Sequence, residues 1–195
     1  MASAEFGRSR AGRFVVIALG ILAFAVGCSS SPASAPDTGS TSSLDASSQP
    51  TSPSTAPADA AKEEAKAAYL GMWRNYAKAA TTADWQSPLL GEFATGDALG
   101  AMVRGLRSDH DKGLIAKGEP KNNPSVSSVE PPSDPMKVMI ADCGDSSNWL
   151  RYRADTGQLA DNEPEGRRSI TASVERQPDG KWKVTGFAVM GVGTC

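Results

Sequence analysis

Apolar residues follow three rhythms along this chain, and each specifies a different kind of element. The first is a continuous stretch from Phe14 to Val26, 13 residues long. The second begins at Ala61: Ala61, Ala65, Ala68, Tyr69, Met72, Trp73, Tyr76 and Ala80 recur at three- and four-residue spacing, with Lys62, Lys66, Arg74 and Lys78 off that stripe. This is the pattern of an amphipathic helix. Asp59 suits its N-cap, and Glu63 and Glu64 suit the positive end of its dipole. The pattern predicts a helix over 59–80. Two shorter helices follow, at Pro88-Leu89-Leu90 and from Asp97 to Arg107, broken around Thr95-Gly96. The second carries Leu99, Met102, Val103 and Leu106 on one face, and SDHDKG at 108–113 ends it.

The third rhythm is alternation, and it takes over in the second half. Leu114 to Lys117 starts a first strand, and Lys121 to Pro124 is a polar turn. Val126 and Val129 mark a short strand stopped by Pro131-Pro132. From Met136 to Cys143, Met136, Val138 and Ile140 alternate with Lys137, Met139 and Ala141, the period of a half-buried strand. Gly144 to Ser147 reads as a turn, Trp149 to Arg153 as a short strand, and Ala154 to Gly166 as a loop. Arg168–Arg176 and Lys181–Val192 are longer strands joined by Gln177-Pro178-Asp179-Gly180, where Gly supplies the positive φ that a tight hairpin turn demands. Helices first and antiparallel strands afterwards make an α+β order, with the helices packed on one face of a curved sheet.

Residues 28–58 have none of these rhythms. They are dominated by Ser, Thr, Pro and Ala, and Leu44 is the only large aliphatic residue. Such a segment buries too little apolar surface to offset the entropy of ordering it. It is a tether, with about 30 Å of reach by coil scaling. The division that follows is a leader at 1–27, a linker at 28–58 and one domain at 59–195.

The leader joins Arg8, Arg10 and Arg13 to the apolar run and ends at Ala25-Val26-Gly27-Cys28: a basic region, a hydrophobic region and small residues at a cleavage point. The run is short of the ~20 residues a spanning helix needs. No arginine pair precedes it, which favours export of the unfolded chain. The cysteine after the small residues resembles the lipobox of bacterial lipoproteins, with Ala25 where leucine is more usual. That resemblance implies cleavage before Cys28, acylation of its thiol and an anchor of two or three chains, enough to hold a protein on the outer face of the cytoplasmic membrane.

Charge and cysteine count extend this picture. The formal net charge is -2, and losing Glu5 and three arginines with the leader takes it to -4. No basic block remains to bind nucleic acid. Of three cysteines, a lipidated Cys28 leaves Cys143 and Cys195, which in an oxidising compartment pair with each other.

Three stretches, AYLGMWRNYAKAATTADW at 68–85, ADCGDSSNWLRY at 141–152 and GKWKVTGFAVMGVGTC at 180–195, with the order of elements, resemble the nuclear transport factor 2-like (cystatin-like cone) superfamily and small exported actinobacterial lipoproteins within it. The resemblance implies a sheet curled around a helix, an apolar cone, and the same Cys143–Cys195 pairing. Members include isomerases, dehydratases and epoxide hydrolases beside many non-catalytic binders, so fold alone does not settle function.

Candidate chemistry is sparse. Tyr69, Trp73, Tyr76, Asp84 and Trp85 are the candidate ligand-pocket residues. Asp84 is a pocket acid on one reading and the cap of the next helix on the other. The single histidine, His110, lies in Asp109-His110-Asp111; it is either a base oriented by a carboxylate or, the preferred reading, a solvated helix end. Asp142 is expected to bond turn backbone around Ser146 and Ser147. The sequence carries no serine-hydrolase, zinc-protease, P-loop or dinucleotide motif, and no metal or cofactor is expected. The expected function is non-catalytic binding of an envelope protein or a small apolar ligand, with a proton-transfer enzyme of isomerase or dehydratase type as the alternative.

Overall fold

The computed structural model describes residues 57–160 and 165–195. The leader, Cys28 and the linker up to residue 56 lie outside the described residues. Helix α1 spans Pro57–Ala80, a 3₁₀ turn covers Pro88–Gly91, and helix α2 spans Gly96–Asp111. Six strands follow: β1 Leu114–Lys117, β2 Ser125–Glu130, β3 Lys137–Asp145, β4 Leu150–Arg153, β5 Arg167–Arg176 and β6 Trp182–Val189. The α+β expectation holds, with helices packed on one face of a curved antiparallel sheet.

The strands form two separate ladders. Four of them pair in the order β2-β3-β5-β6, while β1 and β4 make a two-stranded ribbon. All pairings are antiparallel. The longest register runs through β3 and β5, from Lys137 opposite Glu175 to Asp145 opposite Arg167. Burial along β3 alternates residue by residue, so Val138, Ile140, Asp142 and Gly144 face the helices. The core joins that face to the stripe of α1: Ala61, Ala65, Ala68, Tyr69, Met72 and Trp73 pack with Val138, Ile140, Ala172, Val174 and Val184. Met102 and Leu106 contribute from α2.

Three element boundaries differ from the sequence expectation, each for a local reason. Helix α2 runs through Ser108–Asp111 and stops only where Gly113 adopts φ +66, the left-handed conformation that ends helices. Strand β3 takes in Gly144 and Asp145 because they pair with Arg168 and Arg167 of β5, while Lys121 and Asp145 exchange both backbone hydrogen bonds at 2.9 Å. Strand β6 ends at Val189 rather than Val192. Beyond it the chain is drawn alongside the start of β5, with Met190 N–H donating to Ser169 and Gly193 N–H to Arg167. The Cys143–Cys195 disulfide holds this tail, with Cα atoms 5.9 Å apart.

Candidate functional site

The two ladders and both helices enclose a cavity of about 350 Å³. Helix α1 supplies Trp73 and Tyr76, one helical turn apart on its buried face, and α2 supplies Met102 and Asp109. The main sheet adds Ile170 and Phe187, the ribbon adds Ala116 and Arg151, and Trp149 joins them from just before β4. A side chain at Gly144, which also lines the cavity, would put its Cβ 2.7 Å from Ile170 and 3.1 Å from the Asn122 amide. Glycine there lets both lie close over β3.

One wall is aromatic. Trp73 meets Trp149 at 6.4 Å between centroids and 81°, Tyr76 at 6.2 Å, and Phe187 at 5.5 Å; Tyr76 meets Trp149 at 5.5 Å and 75°. These tilted and edge-to-face contacts are the favoured arrangement of aromatic rings. The indole N–H groups of Trp73 and Trp149 are buried with no conventional hydrogen-bond acceptor.

Another part of the lining is ionic. Arg151 lies 3.4 Å from Asp109 and 3.6 Å from Glu165, and Arg168 donates to Glu165 at 2.6 Å. Both acids and both arginines line the cavity. The phenol of Tyr76 is held above the usual tyrosine range, first by burial and then by the negative charge of Asp109, with Arg151 opposing.

Behind the cavity lies a buried polar cluster. Asp142, 7% exposed, accepts from the Tyr69 hydroxyl at 2.9 Å, from Asn122 Nδ2 at 2.7 Å and from the Asn123 backbone N–H at 2.9 Å. Burial, and then the charge of Asp142, push the Tyr69 phenol far above the ordinary range. The expectation that Asp142 bonds the turn at Ser146 and Ser147 is corrected. Asp145 does that, accepting from Ser147 N–H, because the alternation of β3 turns Asp142 inward and Asp145 outward.

The structure brings three of the five candidate pocket residues together. Trp73 and Tyr76 line the cavity, and Tyr69 stands behind them with its ring edge-on to Trp73 at 6.3 Å. Asp84 and Trp85 do not line it. They follow α1, where Ala83 turns the chain with φ +50. Asp84 is exposed and accepts from Gln86 N–H, while Trp85 packs at the margin of the core under the guanidinium of Arg107, 5.2 Å from its ring. The side chain of His110 is 59% exposed, 3.6 Å from Asp111, and it is the neighbouring Asp109 that reaches the cavity. Asn122, Arg151, Glu165 and Arg168 were not anticipated, since they lie in stretches read as turns, loops and strand ends. For Asp142 a signal did exist: it continues the parity of Val138 and Ile140. Among the described residues no group of three or more His, Cys, Asp or Glu side chains is arranged to hold a metal.

Fold and site together define an α+β protein with an aromatic-walled cavity between its helices, a curved sheet and a two-stranded ribbon. No protein-family model matches the chain, and no curated protein sequence matches it. Similar solved structures include the intermembrane space region of the chloroplast protein ARC6, at 16% identity and a TM-score of 0.45, covering 67% of this chain and 96% of that one. A ketosteroid isomerase-like protein from Erwinia carotovora atroseptica is similar at 11% identity and a TM-score of 0.38, covering 66% and 93%. A protein from Catenulispora acidiphila in complex with S-DNPA is similar at 14% identity and a TM-score of 0.41, covering 64% and 92%.

Proposed function

We propose that this chain is a lipoprotein, anchored through Cys28 on the outer face of the cytoplasmic membrane, whose folded domain binds a small, largely apolar molecule without transforming it. The observation that carries the binding reading is the cavity. Its volume of about 350 Å³ lies in the range of small-molecule sites, which are mostly apolar with a few placed polar groups. Trp73, Tyr76, Trp149 and Phe187 offer a flat aromatic body an extended wall.

The charges favour binding over catalysis. Proton transfer needs an acid or base that can reach a substrate with a suitable proton affinity. Asp109 and Glu165 each face an arginine, and Asp142 already accepts three hydrogen bonds. The anchor is supported by the leader and the small residues before Cys28.

The test of the cavity is binding of 1-anilinonaphthalene-8-sulfonate to the folded domain, followed by its enhanced emission in apolar surroundings. We expect saturable binding at one site. Trp149→Ala weakens it by about tenfold, the worth of one aromatic contact with its buried area, while circular dichroism shows the fold retained. Absence of saturable binding by the intact domain refutes the reading.

A further inference from the structure

The face that helix α2 turns to the cavity contains a gap. Ala101, Gly105 and Asp109 follow one another at intervals of four residues, which sets them above each other on one side of a helix. Ala101 and Asp109 line the cavity, and Gly105 does not. Tyr76 of α1 stands in front of it. A Cβ at Gly105 would lie 2.6 Å from the Tyr76 hydroxyl oxygen and 3.8 Å from Cζ, the carbon that bears it. The second distance is ordinary contact. The first is far inside the ~3.5 Å at which non-bonded heavy atoms settle. The hydroxyl therefore occupies the notch that a missing side chain leaves. Glycine is a poor choice for the helix itself: Gly105 lies in the interior of a 16-residue helix, where alanine is favoured over it, and its φ is not among the positive ones that call for glycine.

Resting on the binding reading above, we infer that Gly105 sets the bore of the cavity and so the girth of its ligand: it keeps Tyr76 drawn back against α2, which leaves room for a broad aromatic body. With any side chain in its place the Tyr76 ring must move. Trp73 and Trp149 flank that ring, at 6.2 Å and 5.5 Å between centroids, and α2 closes its rear. The open direction is the cavity, so the phenol advances into the space the ligand needs. Gly105 is thus a specificity-determining residue that stays out of the lining and acts through Tyr76. The hydroxyl alone transmits the effect, because Cζ clears the added Cβ. Removing that one oxygen should uncouple the two positions, which makes the pair separable by a double-mutant cycle.

Two neutral fluorescent probes that share an aminonaphthalene and differ by one ring isolate girth: 1-naphthylamine and N-phenyl-1-naphthylamine, each titrated into the folded domain. The wild type should bind the larger probe more tightly, since it has more apolar area to bury. Gly105→Ala should weaken N-phenyl-1-naphthylamine by about tenfold, the scale on which overpacking is penalised, and 1-naphthylamine by much less. Adding Tyr76→Phe to Gly105→Ala should return the larger probe to the affinity that Tyr76→Phe shows alone. Equal effects of Gly105→Ala on both probes, or none on either, overturn the inference but leave the binding reading standing, as does a loss that persists once Tyr76→Phe is added. If neither probe binds the wild type, the binding reading itself falls and takes this inference with it. Should Gly105→Ala fail to fold, the urea midpoints of Tyr76→Phe with and without Gly105→Ala read the same contact. With the hydroxyl gone the alanine should raise the midpoint, and a lowered midpoint overturns the assignment.

Discussion

Tyr69 sets a fully buried phenol against the carboxylate of Asp142, and the consequence for stability has a definite sign. Ionising Tyr69 would place a second negative charge in a dry site, so the folded domain keeps its proton where an unfolded chain releases it at 10.0. A raised folded pKa contributes stability that is complete below the unfolded value and is lost as pH climbs beyond it. The domain should therefore hold its stability up to pH 10.0 and lose it above. Tyr69→Phe should cost about 2 kcal/mol at neutral pH, as a hydrogen bond to a charged group does, and should make the alkaline fall shallower. Urea unfolding midpoints of both proteins on either side of that pH decide the matter; parallel curves would refute it. This pair was half legible. The helical stripe put Tyr69 in the core, but its partner sits 73 residues away. A tertiary contact of that kind leaves no local mark beyond the inward parity of Asp142. Asp84 shows the reverse error: an acid beside a tryptophan looks like pocket chemistry, whereas a left-handed residue just before it sends both to the surface margin.

At the scale of elements, periodicity was the dependable guide and termination was not. The stripe in α1, the alternation in β3 and the Pro-Asp-Gly turn between β5 and β6 each announced their element, because one buried face recurs at a fixed interval. Ends depend on what else is near. Gly144 and Asp145 belong to a strand because Arg168 and Arg167 of β5 pair across from them, and β6 stops where the tail is drawn to β5. The Cys143–Cys195 bridge that holds the tail spans 52 residues; a closed loop of that size contributes about 4 kcal/mol in the chain-entropy account. The ribbon of β1 and β4 is a separate matter. It shares no ladder with the main sheet, and two strands alone are marginal in water. Its amide protons, Ile115 and Tyr152 among them, should exchange with solvent at least tenfold faster than those of Val138 to Asp142 in β3. Deuterium uptake followed by mass spectrometry measures this, and equal protection would show that the ribbon is locked to the rest.

For the molecule as a whole, the sequence foretold the class of fold better than the contents of the site. Order of elements and hydrophobic rhythm survive any change of loop, whereas the cavity is assembled from residues of both helices, both ladders and the stretches between them, among them Asn122, Arg151 and Arg168. The proposed anchor is the complementary case, read wholly from Arg8 to Cys28. Among the described residues no helix is long and apolar enough to cross a membrane. Replacing Cys28 with alanine should abolish metabolic labelling by an alkynyl fatty acid and move the protein out of the membrane fraction or leave it uncut. Labelling that persists in Cys28→Ala would remove the anchor from the account.

The aromatic wall has a practical corollary. Two of the four tryptophans, Trp73 and Trp149, stand where an occupant must sit, while Trp85 and Trp182 lie elsewhere. The domain is thus its own optical gauge: anything that enters alters ultraviolet emission from the wall. Replacing Trp85 and Trp182 with phenylalanine would darken the background and leave a label-free reporter for screening colourless compounds.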